Sequence, residues 1–181
     1  MSIQRLPEGY VICGAAPEEI PALIAIDLAA GQLFAGTGLL PEDALGDHVP
    51  ADVFEAAIPL GHVHTVRGRK DELAGFVLTS LRENVLYLDQ ISVDPAEGRK
   101  GLGGALIRRV VEEAKDRGLK RIVLSTFRDL PWNGPFYRRH GFWELPRKKM
   151  EKWMIEIESA QDERGLDVRA RCFMVRKVGR F

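Results

Sequence analysis

The sequence predicts a single α/β domain of the α+β kind, spanning residues 1–181, with a mixed and mostly antiparallel central sheet and helices on its faces. Three observations carry this. The chain is long enough for one well-buried core and short for two. Three extended runs follow one another between residues 62 and 94 with only brief polar turns between them, as in an antiparallel meander. Beyond them, apolar periods of two and of 3.6 residues alternate to the end of the chain.

Taken in order, "YVICGA" (10–15) reads as a short strand. "APEEIPALIAIDLAAGQLF" reads as a helix, with Pro17 near its start and Ile20, Leu23, Ile24, Asp27 and Leu28 at helical spacing, and Gly31, Gly36 and Gly38 close it. Residues 41–58 are acidic, poor in strand formers and broken by Pro50, which predicts one or two short helices. The meander follows as 62–68, 73–82 and 85–94. From Leu106 to Lys115 one face carries Leu106, Ile107, Val110, Val111 and Ala114 and the other carries Arg108, Arg109, Glu112, Glu113 and Lys115, an amphipathic helix ended by Gly118. "RIVLSTF" (121–127) is a buried strand, "PWNGPFYRRHGF" a turn into a short helix, and "FWEL" a strand. An amphipathic helix from Lys148 and an alternating strand over 168–178 complete the order.

Charge and composition narrow the function. Net charge is zero, yet residues 1–60 carry one Lys or Arg (Arg5) against nine Asp or Glu, a net of −8, which leaves +8 for the remainder. The two parts of the chain are built for different partners. No apolar run reaches the ~20 residues of a membrane span, and "MSIQRLPEGY" lacks the layout of a signal peptide, so a cytoplasmic location is expected. Cys13 and Cys172, far apart and outside any metal spacing, read as reduced, packed thiols.

The richest stretch is "ISVDPAEGRKGLGGALIRR" (91–109), in which four glycines fall within seven residues between a strand and a helix. The first N–H groups of a helix have no intrahelical partner and sit at the positive end of its dipole, so an anion docks there without a charged side chain. Gly101, Gly103 and Gly104 leave the backbone bare, and Arg99 and Lys100 add positive charge at the rim, which makes a diphosphate cradle. A Walker loop would need Lys-Ser or Lys-Thr after the glycines, and a dinucleotide loop would need a third glycine where Leu106 stands. NAD binding is thereby disfavoured.

"LDQISVDPAEGRKGLGGALI" resembles motif A of the GNAT superfamily of acyl-CoA-dependent N-acyltransferases, whose pattern is Q/R-x-x-G-x-G/A, and "NGPFYRRHGF" resembles its motif B. One departure stands out: the Q/R position falls on Gly98, with Arg99 displaced by one. The resemblance implies a sheet with two splayed parallel strands, the one ending at Val93 and the one from Ile122 to Ser125, between which the pantetheine arm of acetyl-CoA lies along the backbone of Ile91, Ser92 and Val93. It places the diphosphate on Arg99, Lys100, Gly101, Leu102, Gly103 and Gly104, and Asn133 and Phe136 beside the pantetheine. It implies direct transfer to a primary amine, with no metal and no enzyme nucleophile.

Such an amine has a pKa of ~10.4 and must lose a proton before it attacks, while the departing thiolate is best released with one. Asp89, on the strand before the cradle, is the candidate base, acting directly or through water. Tyr137 is the candidate acid, at the position of the family's usual one. The family's N-terminal helices form the acceptor pocket, so Phe34, Asp43 and Asp47 are candidates there, and the acidic first third suits a cationic amine, a small molecule or a peptide. Neither nucleic acid nor membrane is expected as a partner; a homodimer is possible, with Trp153, Met154 and Ile157 as core or dimer contacts. His62 and His64 read as packed histidines rather than metal ligands, and the basic run 147–153 as a solvated face. The alternative is a non-catalytic module that binds or senses acyl-CoA, to which a carboxylate and a phenol beside the cradle would be of no use.

Overall fold

The computed structural model of the chain describes residues 6–179. Its twelve principal elements are β1 (Val11–Gly14), α1 (Ile20–Gly31), α2 (Ala51–Ala57), β2 (Val63–Arg67), β3 (Leu73–Arg82), β4 (Val85–Val93), α3 (Leu102–Asp116), β5 (Arg121–Phe127), α4 (Gly134–Arg139), β6 (Trp143–Glu144), α5 (Lys152–Glu163) and β7 (Arg171–Lys177), linked by short 3₁₀ turns. The strands form one seven-stranded sheet in the order β1-β2-β3-β4-β5-β7-β6, antiparallel throughout except for the parallel pair β4 and β5. The predicted mixed, mostly antiparallel sheet flanked by helices is the observed architecture.

The alternation of the meander decides what each face buries. Val77, Leu86 and Leu88 point to the face covered by α3, where Leu106, Ile107, Val110 and Ala114 complete the largest core. Phe76 and Leu78, one residue out of phase, point to the other face and pack with Leu23, Ile26 and Phe54 from α1 and α2. A third cluster lies under α5, where Met154 is fully buried and the Trp153 ring stands edge-on to Tyr87 at 5.5 Å. Trp153, Met154 and Ile157 are thus core contacts of this chain. Fully burying a side chain such as Leu106 stabilises by about 1.5–3 kcal/mol, and α3 supplies several.

Differences from the expected elements are local. The last strand begins at Arg171, because residues 168–170 form a 3₁₀ turn in which Asp167 accepts from the Arg169 N–H at 3.0 Å. The expected helix from Lys148 starts at Lys152, after a 3₁₀ turn over Arg147–Lys149 whose Arg147 pairs with Glu158. Cys172 is buried and Cys13 partly buried, and neither is in a disulfide.

Candidate active site

The cleft exists because β4 and β5 part company. They pair only at Leu86 with Ile122 and at Tyr87 with Val123. Beyond that point β5 stays with β7 along its whole length, and β4 stays with β3. A bulge sets the divergence: Thr79 opposes Leu88 and Leu78 opposes Gln90, so Asp89 is the extra residue on β4. The Asp94 N–H donates to Ala74 O of β3 at 2.9 Å. By the two-residue alternation of an antiparallel ladder, Ser92 then faces β3 while the backbone of Ile91 and Val93 opens on the gap. The gap is a cleft of about 720 Å³, walled by β4, the glycine loop, the end of β5, α4 and the C-terminal end of α1.

At one end lies the helix terminus foreseen in the sequence. Gly101 precedes α3 in a left-handed conformation (φ +81°), and the first intrahelical bond is Ala105 N–H to Gly101 O at 3.1 Å. The amides of Leu102, Gly103 and Gly104 therefore lack helical acceptors. Arg99, a non-glycine, also holds a left-handed φ of +61° at the cleft wall, a strained backbone of the sort that gathers at ligand sites. The two inner glycines have a second cause. A Cβ on Gly104 would lie 2.8 Å from His140 Cε1, and one on Gly103 would lie 3.3 Å from Phe136 Cζ, so their small size also lets α4 approach α3.

Opposite the loop, α4 supplies Asn133, Phe136 and Tyr137. Asn133 occupies the N-cap position without capping: its Nδ2 donates to Thr126 Oγ1 at 2.8 Å, and its Oδ1 is buried with no partner. Tyr137 is 6% exposed and packs between Phe136 and Phe142. Burial raises its phenol well above the ordinary value, with the Tyr87 phenol adding and the Arg171 charge opposing. Phe34 and Trp132, 6.1 Å apart edge-on, form an aromatic rim with Phe127.

Asp89 sits at the point of divergence. Burial pushes its carboxyl up to about 6, only partly opposed by the Ser80 hydroxyl and the Arg82 charge. Its Oδ2 is buried, with the Ser80 hydroxyl as the polar side chain that acts on it. Behind the bulge, Asp27 of α1 accepts from Gln90 Nε2 at 2.6 Å, from Ser92 Oγ at 2.7 Å and from Val49 N–H at 2.8 Å. This braces the strand where it loses β5.

The cleft gathers every predicted catalytic and donor-binding residue but one. Lys100 is turned away: its ammonium contacts Glu97 Oε2 at 2.8 Å and Tyr10 Oη at 3.1 Å. The loop's basic side chain at the cleft is Arg99 alone. Of the acceptor-pocket candidates Phe34 lines the cleft, whereas Asp43 and Asp47 do not, and Asp47 pairs with Arg164 at 3.1 Å. His62 and His64 converge on Glu113 of α3, at 3.0 and 3.5 Å, inside the core. Among the described residues no group of three or more His, Cys, Asp or Glu side chains is arranged to hold a metal, and no helix is long and apolar enough to cross a membrane. Sequence reasoning missed Gln90 and Arg171 as lining residues and Asp27 as the brace. Asp27 had a signal, a lone acid at helical spacing with Leu23, Ile24 and Leu28 in an otherwise apolar helix.

An open strand edge, bare helix-terminal amides and an unpartnered amide oxygen along one groove fit an extended polar chain ending in a diphosphate. A carboxyl and a phenol on that groove can accept and donate a proton. Comparison with known proteins agrees. The model of the Acetyltransferase (GNAT) family matches residues 40–142. Glucosamine 6-phosphate N-acetyltransferase 1 of Oryza sativa subsp. japonica is 29% identical over 129 residues, 65% of this chain and 76% of that protein. The amino-acid acetyltransferase of Mycobacterium tuberculosis is 36% identical over 55 residues, and only 29% of its length is covered. In fold, the PaiA N-acetyltransferase of Thermoplasma acidophilum, solved with coenzyme A, superposes with a TM-score of 0.72 over 93% of this chain and 98% of that one, at 15% identity. N-acetylglutamate synthase of Neisseria gonorrhoeae, solved with coenzyme A and N-acetyl-glutamate, gives 0.69 over 94% of this chain but 35% of its own, at 17% identity. With more than half its length matched to the family and the family's splayed sheet in place, this chain belongs to the GNAT acetyltransferases.

Proposed function

We propose that this single-domain chain transfers an acetyl group from acetyl-CoA directly to a primary amine. The observation that carries the reading is the unzipped edge of β4, which ends at bare amides of α3. The pantetheine arm adds to that edge through the backbone of Ile91 and Val93, with Ser92 braced behind, as an added strand would. Its diphosphate takes the amides of residues 102–104 and the Arg99 charge. Asn133 Oδ1 accepts from a pantetheine amide, and Phe136 packs against the arm.

The amine reaches the thioester from the α1 side. Asp89, in its carboxylate form above about pH 6, takes the proton of the ammonium, directly or through one water. The amine nitrogen then attacks the thioester carbonyl carbon, the C–S bond breaks, the second proton of the attacking nitrogen passes through water to restore the Tyr137 phenol after its donation, and the amide and CoA leave. Tyr137, whose burial keeps it protonated, donates to that sulfur. The same burial disfavours the free thiolate, so the proton moves toward sulfur as charge develops there.

The test is calorimetric titration of acetyl-CoA, CoA and NADH, beside an Arg99→Glu variant, followed by thiol release with a set of amines. Acetyl-CoA should bind, roughly tenfold more weakly in the variant, and release thiol only with an amine present. Binding without amine-dependent release would make the chain a sensing module; binding of NADH alone would end the transferase reading.

A further inference from the structure

Arg171 is the group on the cleft wall that the proposed proton transfers leave unused. It opens β7 opposite Phe127, and its guanidinium is held on every side but one. Nε donates to Gln161 Oε1 at 3.2 Å, Nη2 donates to Ser125 O at 3.2 Å and to Ser125 Oγ at 3.3 Å, and Cζ lies 4.6 Å above the Phe127 ring. All of these neighbours are neutral. Arg67 pairs with Glu19, Arg117 with Glu113 and Arg128 with Glu144, but among the described residues no carboxylate pairs with Arg171, and its Nη1 makes no hydrogen bond. Burial accordingly holds its pKa below the ordinary value. A purely structural arginine at this place would be expected to meet a carboxylate, since a buried cation without one is costly.

The carboxylate of Asp89 lies on the same cleft, and the Tyr87 phenol is acted on by both charges. Arg171 and Asp89 thus put a positive and a negative group on one groove, neither in an ion pair among the described residues; Arg99 and Arg139 add positive charge to its wall, and Glu97, also on the wall, pairs with Lys100. The other acidic residues that could favour a polycationic acceptor are engaged: Glu97 on the cleft wall with Lys100, Asp47 with Arg164, and Asp27 with Gln90 and Ser92 behind β4.

We propose that the acceptor is an amine that also carries an anionic oxygen group, a carboxylate or a phosphate, which binds Arg171 Nη1 while the amine faces Asp89. This rests on the acyl-transfer reading above. Gln161, Ser125 and the Phe127 ring fix the plane of the guanidinium in advance, so the acceptor's anion meets an oriented donor.

The experiment compares matched acceptors with acetyl-CoA: amino acids beside their amides, and phosphorylated amino sugars beside the unphosphorylated ones. The wild type should prefer the anionic member of a pair by at least tenfold in kcat/KM, and whether the carboxylate or the phosphate pair separates identifies the anion. Arg171→Gln should remove that preference, a loss of roughly 10- to 100-fold confined to the anionic member and expressed mainly in its KM. Acetyl-CoA affinity should stay within threefold, which also shows that the variant is folded; Arg171→Lys should restore part of the preference. Should Arg171→Gln not fold, competition in the wild type decides: inorganic phosphate or succinate should inhibit competitively against the acceptor. Equal turnover of charged and neutral members, better turnover of polyamines, no turnover of any anionic member, an equal loss for both members in the variant, or no competition by either anion overturns the proposal. A wild type that fails to bind acetyl-CoA would instead remove the transferase reading beneath it.

Discussion

Two polar regions are buried against the same sheet, and they are finished differently. Between α3 and β2–β3, Glu113 is 3% exposed yet accepts at both carboxylate oxygens from Thr79 Oγ1 at 3.2 Å and at Oε1 from Arg117 Nε at 3.0 Å, with His62 Nδ1 also 3.0 Å away. Only His64 Nε2, 3.5 Å from Glu113 Oε2, falls short of a hydrogen bond there. Along the β4–β5 cleft, by contrast, Asn133 Oδ1 is buried and unpartnered, the buried Asp89 carboxyl is in no ion pair, and Arg171 has no counter-ion among the described residues. Native interiors satisfy buried polar groups almost without exception. The first region is structural cement; the second leaves polar and charged groups unmatched on a cleft wall.

The largest effect should come from opening the finished region. Glu113→Leu should cost about 3 kcal/mol of unfolding free energy in denaturant melts, since it strands His62, Thr79 and Arg117. Acetyl-CoA affinity should not change. Burial alone would raise the Glu113 carboxyl, but His64, His62 and Arg117 outweigh it and hold the pKa below the ordinary 4.5. Its contribution is therefore complete above that value and lost as pH falls below it, so the gap between wild type and variant should narrow in acid. A gap that is constant with pH would mean that packing, not charge, makes the region rigid.

Next comes the cleft. Tyr137→Phe should lower kcat about 100-fold with acetyl-CoA affinity within threefold. Equal losses in both would count against its acid role. Asp89→Asn should lower kcat/KM by roughly 10- to 100-fold and flatten its rise with pH, which in the wild type should centre near 6. The same variant should be the more stable protein. The folded Asp89 carboxyl titrates at about 6 against 3.8 unfolded, so wild-type stability falls as pH rises through that window and stays lowered above it. Asp89→Asn escapes this and should gain on the order of 1–2 kcal/mol at pH 7.5, with the gain vanishing below about pH 4. A loss of both activity and stability would move Asp89 into the first region.

The smallest effect should be at Arg99. Arg99→Gly relieves a left-handed φ of +61° and should raise stability by about 0.5–1 kcal/mol while weakening acetyl-CoA binding. Gains in both would show that the strain serves nothing.

Much of the fold was legible because its signals are local. The meander reads as extended apolar runs parted by polar turns, α3 has a clean apolar stripe, and the glycines mark a helix start by their lack of Cβ. The glycine-loop wall of the cleft followed from the same local pattern. The acceptor side did not: Arg171 stands in an ordinary alternating strand, and nothing near it in sequence shows that Ser125 and Gln161 will be its neighbours. Lys100 looked equal to Arg99, but its ammonium was claimed by Glu97, three residues away, and by Tyr10.

By itself, then, the sequence determined the elements, the sheet's mixed character and the glycine-marked helix start, all of which rest on periodicity and backbone chemistry over a few residues. The tertiary structure decided the rest: that β7 inserts between β5 and β6, that β4 and β5 separate after two paired residues, and which buried charges are matched. Those outcomes depend on strand register and on contacts between residues tens of positions apart, such as Asp27 with Gln90 or Arg171 with Ser125. A local pattern carries no record of them, because the energy of a buried charge is set by whichever distant groups the fold brings within reach.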